Sequence, residues 1–235
     1  MRTYGQFCPI ARGSEILAER WTPIILRNLL LGCRTFNEIA AGAPGLSRAL
    51  LARRLRELER AGVLAIRPKP NGRGSLYEPT PAGKDLAGVL EAIGGWAERW
   101  TELTVEHADP DVVLWSWSQS HVRRNLLPDQ RVVVRLEFTR GGRRVRLWLL
   151  VEHREVEICR FDPGFGDDLV VGIEDPMAFA SWHMGRLGWT AALRSGGITV
   201  TGPRALRQAF PTWNSGPVEN AKIRAEHGLP VVDPA

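Results

Sequence analysis

The sequence predicts an α+β protein of two domains. Three observations predict this. Up to about residue 106 the apolar residues recur at helical spacing, interrupted by one pair of short strand-like runs. From about Asp111 onward, alternating runs of strand character are separated by shorter helical stretches. Between them, His107-Ala108-Asp109-Pro110-Asp111 reads as a helix end followed by a Pro-containing linker. The expected domains are therefore 1–107 and 111–215. A tail over 216–235 reads as partly irregular.

The bulk composition is compatible with two packed cores. Of the 235 residues, 44% are hydrophobic and 24% charged, as in ordinary globular proteins. The three cysteines, Cys8, Cys33 and Cys159, are widely spaced and odd in number. They make no metal pattern and argue against a disulfide framework. The first residues lack a signal-peptide apolar core, and no stretch approaches the ~20 apolar residues of a membrane span. The expectation is a cytoplasmic protein without a membrane partner.

Charge is unevenly distributed. The net charge is +5 and the sequence pI about 9.6. Between Arg34 and Gly74 there are nine basic residues against three acidic ones. A positive stretch of this kind is the electrostatic footprint that nucleic acid requires.

The elements of the first zone follow in order. A helix is expected from Cys8 to about Glu19, with Ile10, Ile16 and Leu17 on its buried side. Thr22-Pro23 gives an N-cap and a proline at the first position of a second helix, which Gly32 stops. Thr35 with Glu38 fits a capping box for a short third helix. After the turn Ala43-Pro44-Gly45, Ser47 caps a fourth helix running to about Ala61-Gly62. Leu46 and Leu51 can form a hydrophobic staple. Leu51, Leu55 and Leu58 share one face. Arg48, Ala49, Ala52, Arg53 and Arg56 lie on the other.

Two strand-like runs, Val63–Arg67 and Ser75–Pro79, are joined by a basic, turn-rich tip containing Lys69, Asn71 and Arg73. Thr80-Pro81 starts a last helix to about Val105, carrying Leu86, Leu90, Ile93, Trp96 and Trp100. A helix ~10–12 Å across fits the B-DNA major groove, about 12 Å wide. Arginine forks suit phosphates and the O6/N7 edge of guanine. Small Ala49 and Ala52 allow close approach to thymine methyls. An arginine-rich helix face can equally be only a solvated surface. Cap, staple, preceding helix and basic hairpin in this order favour the DNA reading, that of a winged helix–turn–helix. The expected DNA contacts are Ser47, Arg48, Ala49, Ala52, Arg53, Arg54, Arg56, Lys69, Asn71 and Arg73.

Residues 8–100 also resemble the HxlR-type winged helix regulators. The likeness is carried by Cys8-Pro9-Ile10-Ala11, Glu19-Arg20-Trp21-Thr22 and Ile25-Leu26-Arg27-Asn28-Leu29. It continues in Arg34-Thr35-Phe36-Asn37-Glu38-Ile39, Leu46-Ser47, Leu51 through Glu59, Tyr77 and Thr80-Pro81-Ala82-Gly83. The resemblance implies a homodimer on a pseudo-palindromic double-stranded operator, with Pro81–Val105 and the N-terminal segment forming the dimer interface. A buried intrachain helix would carry the same apolar residues. Some regulators of this type sense oxidants through a cysteine at the position of Cys8. An inert residue at a helix start fits that position as well.

In the second zone, strands are expected over 131–138, Arg144–Glu152, Glu155–Phe161, Leu169–Ile173 and Ile198–Thr201. Helices are expected from Asp175-Pro176 to about Met184, over Leu187–Arg194 and over Pro203–Phe210. From Asp168-Leu169-Val170-Val171 through Gly188-Trp189 to Ile198–Pro203 the order resembles the sterol-carrier-protein-like fold. That likeness implies a sheet covered by helices around an apolar ligand tunnel. Six of the nine tryptophans lie in this zone. Trp115, Trp148, Phe179, Trp182, Met184 and Trp189 are the candidates for lining a site for a small hydrophobic effector. Filling the core is their other role.

No catalytic constellation is present. His107, His121, His153, His183 and His227 are scattered, and neither GxSxG nor a P-loop occurs. No enzyme activity, cofactor or metal is expected. The reading is a transcriptional regulator answering to a hydrophobic effector. The alternatives are a hydrophobic-ligand carrier with a helical protein-interaction domain, and a Cys8-based redox-sensing regulator.

Overall fold

The computed structural model describes residues 3–70, 72–140 and 142–226. The chain divides into two compact units between Ala97 and Glu98. The division falls inside a helix rather than at residues 107–111.

The first unit is built from α1 (Pro9–Leu17), α2 (Thr22–Leu30), α3 (Phe36–Ala41), α4 (Arg48–Arg60), β1 (Leu64–Pro68), β2 (Ser75–Pro79) and most of α5 (Pro81–Trp100). Ile25, Leu26 and Leu29 of α2 are fully buried with Ile39 of α3 and Leu51, Leu55 and Leu58 of α4. Burying each such side chain contributes roughly 1.5–3 kcal/mol of transfer free energy. Helix α1 differs from expectation. It buries none of its residues, and Ile10 is 79% exposed. The cap of α2 differs too. Trp21, with φ +78°, occupies the N-cap, and Thr22 is already helical.

The α4–β1 corner shows why Gly62 is needed. At φ +72° its amide bonds to Glu59 O (2.9 Å), and the next amide, of Val63, returns to Leu58 O (3.0 Å). This left-handed closure favours glycine. The strands then pair antiparallel, Leu64 opposite Pro79 and Pro68 opposite Ser75. The Tyr77 amide donates to Arg34 O (2.8 Å), and Leu76 bridges Thr35. The hairpin is thereby fixed to the segment that opens α3.

The second unit holds α6 (Pro110–Ser120), β3 (Val132–Arg140), β4 (Arg143–Glu152), β5 (Glu155–Cys159), β6 (Leu169–Ile173), α7 (Pro176–His183), α8 (Trp189–Arg194), β7 (Ile198–Thr201), α9 (Arg204–Ala209) and α10 (Gly216–Glu226). The sheet order is β5-β4-β3-β6-β7. β3 and β6 are parallel and the other neighbours antiparallel. Val132, Val134, Leu136 and Phe138 of β3 alternate onto one face with Leu147, Leu149 and Val151 of β4. Trp117 of α6, Phe179 and Trp182 of α7 and Phe210 join the same core.

Two expectations are corrected here. Asp109-Pro110 opens a helix instead of a linker: the Asp111 amide bonds to Asp109 Oδ1 (3.0 Å), with Pro110 at the first helical position. The segment after Trp213 forms α10 instead of irregular chain. Residues 227–235, with His227, lie outside the described residues.

Gly83 is set by close approach. The Thr80 hydroxyl donates to Gly62 O (2.6 Å) and accepts from the Gly83 amide (3.2 Å). This presses the first turn of α5 onto the start of β1. A Cβ on Gly83 would stand 2.2 Å from Val63 O. Gly83→Ala therefore overpacks a backbone contact and is expected to cost about 1–3 kcal/mol. Urea unfolding checks it. Wild-type stability in the variant would contradict the contact.

Candidate nucleic-acid interface

Helix α4 is prepared by what precedes it. Thr35 and Glu38 complete the capping box of α3: the Glu38 amide donates to Thr35 Oγ1 (3.3 Å), and the Thr35 amide to Glu38 Oε2 (3.0 Å). Ser47 then caps α4 by accepting from the Leu50 amide (3.3 Å). Two residues without an assigned role on sequence grounds hold the connecting turn. Asn28, fully buried, donates to Ile39 O (2.9 Å) and accepts from Arg27. Arg27 also donates to Gly42 O (2.7 Å). Burial pushes the Arg27 guanidinium below its ordinary pKa. An Asn on an otherwise apolar helix was the available signal.

With the leucines of α4 inward, Ser47, Arg48, Ala49, Arg53 and Arg56 are exposed, and Ala52 is half-buried. Arg48 donates to Asn37 Oδ1 (3.1 Å) and lies over the Phe36 ring at 4.6 Å. Its outer edge is thus held in place. Arg53 stands 3.8 Å from Glu57 but keeps 57% side-chain exposure.

Arg54 is a correction. It is 5% exposed. Its guanidinium pairs with Glu57 (2.6 Å) and Glu19 and donates to Arg20 O (3.3 Å). With its donors spent inside the unit, it cannot serve as the DNA contact expected of it. Glu57 responds in kind. Burial alone would raise its carboxyl, but hydrogen bonding and charge from Arg54 hold it below the usual carboxylate range.

At the hairpin tip, Gly72 and Gly74 take φ +70° and +89°. Lys69 is half-buried and Arg73 exposed. Asn71 lies outside the described residues. The α4 face and the hairpin therefore each carry basic groups.

Residues 16–105 match the family described as HxlR-like helix-turn-helix. The chain is 37% identical over 99 residues to the HTH-type transcriptional regulator YvaP of Bacillus subtilis, covering 41% of this chain and 92% of YvaP. The chain belongs to the HxlR-like helix-turn-helix family. The HTH-type transcriptional regulator Rv3095 of Mycobacterium tuberculosis is 28% identical over 133 residues, covering 51% of this chain and 84% of its own. The reduced form of the regulator YodB from B. subtilis aligns with a TM-score of 0.37 at 29% identity, over 41% of this chain and 97% of that one. The HxlR-like match ends at residue 105, so most of the second unit lies beyond it.

Cys8, the redox candidate of this HxlR-like chain, is half-buried at the N-cap of α1 and makes no side-chain cap bond. Cys33 is buried, and burial pushes its thiol pKa up.

The expected ligand-lining residues occupy different environments. Phe179 and Trp182 are fully buried. Trp182 packs on Trp189 with ring centroids 4.7 Å apart, on Phe179 at 5.5 Å and on Trp117 at 5.9 Å. These rings pack against one another within the core of the second unit. Trp148, one residue off the core register of β4, faces the other side of the sheet and donates to Asp167 Oδ1 (3.0 Å). Trp115 is buried and Met184 half-buried. Trp189 lines an open groove of about 360 Å³.

Ser116, His183 and Asn214 stand at the spacing of a nucleophile, base and orienting group. The Gly216 amide occupies Asn214 Oδ1 (2.8 Å), so Asn214 Nδ2 donates to His183 Nδ1 (3.0 Å). The ring proton then sits on Nε2, directed at Ser116 Oγ (3.3 Å). A histidine already carrying that proton cannot take one from serine. Among the described residues, no group of three or more His, Cys, Asp or Glu could hold a metal ion. No helix there is long and apolar enough to cross a membrane.

Arg54→Ala would leave Glu57 and Glu19 without their buried partner. It is expected to lower stability by about 2–4 kcal/mol, below the full range for buried pairs because Glu19 is partly exposed. Arg53→Ala should stay within about 0.5 kcal/mol of wild type. Urea unfolding followed by circular dichroism compares them, and equal losses would contradict the burial of Arg54.

His183 has its pKa lowered to about 3, first by burial and then by the neighbouring His121, against the opposing Asn214 hydrogen bond. The unfolded chain takes up this proton below about pH 6.5 while the folded chain resists it until about pH 3. Stability is thus present above 6.5 and falls by about 1.4 kcal/mol per pH unit below it. Unfolding measured at pH 7 and pH 5 should differ by about 2 kcal/mol more in wild type than in His183→Gln. An unchanged pH slope in the variant would disprove the assignment.

Proposed function

We propose that this HxlR-like chain is a homodimeric DNA-binding transcriptional regulator that answers to a small hydrophobic effector held by its second unit. The observation that carries the DNA reading is the division of α4. Three leucines of this helix are buried to within 2%, while Ser47, Arg48, Ala49, Arg53 and Arg56 face outward beside a basic hairpin. Such a helix can enter the major groove without giving up its packing. Arg53 and Arg56 are its base-reading or phosphate-reading forks, and Lys69 and Arg73 reach flanking backbone.

The dimer reading is supported by α5 and the N-terminal segment. Val89, Ile93, Trp96 and Trp100 recur three, four and seven residues apart and are all exposed in the single chain. Phe7 is 97% exposed. Burying this stripe against a second copy removes a large apolar patch from water. The sterol-carrier-like reading of the second unit is supported by one five-stranded sheet with an aromatic helical layer on its core face.

The test is selection of bound duplexes from a random-sequence DNA pool by the full chain. Two-fold symmetric sites with half-sites about 10–10.5 base pairs apart, or a multiple of that, are expected. Affinity should fall steeply with salt. Arg53→Ala should weaken binding by about 1–3 kcal/mol if it reads a base. Recovery of no symmetric site, or an affinity indifferent to salt, would refute the reading and favour a ligand carrier with a helical protein-interaction domain. Loss of oxidant response in Cys8→Ser, with operator binding intact, would favour the redox reading.

A further inference from the structure

The groove beside Trp189 has a chemistry of its own. Its apolar walls are Trp189, Pro211, Pro217 and Val218, and Arg123 and Gln208 stand among them. An adjoining depression of about 340 Å³ shares Trp189, Gln208 and Pro211 and adds Arg204 and Arg207. Neither depression is lined by a carboxylate.

The arginine side chains of the two depressions have no protein partners among the described residues. Elsewhere in the second unit Arg131 pairs with Glu152, Arg135 with Asp167, Arg154 with Asp129 and Arg186 with Glu98. Among the described residues, the guanidiniums of Arg123, Arg204 and Arg207 have no ion pair or side-chain hydrogen bond. Arg123 is half-buried, where an unpaired guanidinium is less well solvated than at the open surface. Its backbone is fixed, because its amide donates to Trp213 O (2.9 Å). Arg123 therefore lines the groove, and Arg204 and Arg207 line the adjoining depression, with no carboxylate among the lining residues of either.

The remaining polar groups narrow the ligand. The Asn214 amide is spent on His183 and Gly216, and the Thr212 hydroxyl donates to Ala209 O (2.6 Å). Arg123 and Gln208 stand as donors beside the indole N–H of Trp189. A guanidinium fork matches a carboxylate in bidentate geometry. The indole of Trp189 and the ring of Pro211 suit a flat or compact apolar body. A volume of about 360 Å³ lies at the small end of ligand sites.

We propose that this groove binds the ionised form of an aromatic or compact apolar carboxylic acid, with Arg123 clasping the carboxylate and Trp189 and Pro211 holding the apolar body. The proposal rests on the reading of the second unit as the effector-binding module and assigns that module a site and a ligand class. The site shares Trp189 with the buried aromatic cluster of Phe179 and Trp182.

The probes are 2-naphthoate and its neutral isostere 2-naphthamide, titrated calorimetrically into the full chain at neutral pH. The acid is expected to bind at least about tenfold more tightly than the amide, as a charge-assisted bidentate pair requires. Arg123→Gln should abolish that preference, bringing acid binding down to the level of the amide. Arg204→Gln/Arg207→Gln, two exposed positions, should reduce acid binding a few-fold and keep the fold. Circular dichroism verifies folding, and if Arg123→Gln fails to fold, the acid–amide comparison in wild type and in the double variant decides.

Equal binding of acid and amide, no binding of either, or an acid preference that survives Arg123→Gln would overturn the proposal. Operator affinity measured with and without 2-naphthoate separates this site from the broader reading. Acid-selective binding lost in Arg123→Gln, with operator affinity unmoved by the bound acid, upholds the groove and counts against its role as an effector site. Operator affinity that shifts with apolar ligands, while the acid preference ignores Arg123, upholds effector control and overturns the groove.

Discussion

The buried guanidinium of Arg54 is the constraint on which the first unit's outward face depends. It ties α4 to the chain between α1 and α2 through Glu19 and Arg20 O, and to the next turn of its own helix through Glu57. The leucines could tolerate small rotations of α4 about its axis. The directional donors of Arg54 restrict them. The angle at which Arg53 and Arg56 leave the helix is thus set from its opposite side. A charged group thus holds the register within an otherwise apolar contact. The division of labour is general: apolar burial supplies free energy, and buried polar pairing supplies uniqueness.

Much of the first unit was legible because its signals are local. Capping box, leucine spacing and turn glycines act within a few residues, and each appears where the sequence placed it. Arg54 was not legible as a structural residue. On a helix of five arginines its neighbours look alike, and its partner Glu19 lies 35 residues away. Ile10 was misplaced for a related reason: helical spacing shows that a residue is apolar, not whether its own chain covers it.

The second unit was legible in its strands and less so in its helices. β4, β6 and β7 fall where alternation put them. Helix α6 was hidden because Asp-Pro signals a turn and a helix start with the same two residues, and only the Asp109 side chain bonding to the Asp111 amide tells them apart. The aromatic residues show a different limit. Composition reveals that many large rings must be accommodated, but which of them stack together shows only in centroid distances of 4.7–5.9 Å. The groove that remains open takes its charge from arginines in segments with no alternation or heptad to draw attention to them.

The contact of Gly83 with Val63 has a mechanical meaning. Backbone against backbone, with no side chain between, is among the least compressible joints in a protein. The hairpin strands are pinned at one end by this joint and along their length by Arg34 and Thr35. The wing and the first turn of α5 therefore move as one piece. If α5 pairs with its copy, each wing becomes the jaw of a caliper whose hinge is the helix pair. A small change in the crossing angle of the two helices would then open or close the distance between wings. No rearrangement within either DNA-facing unit would be required.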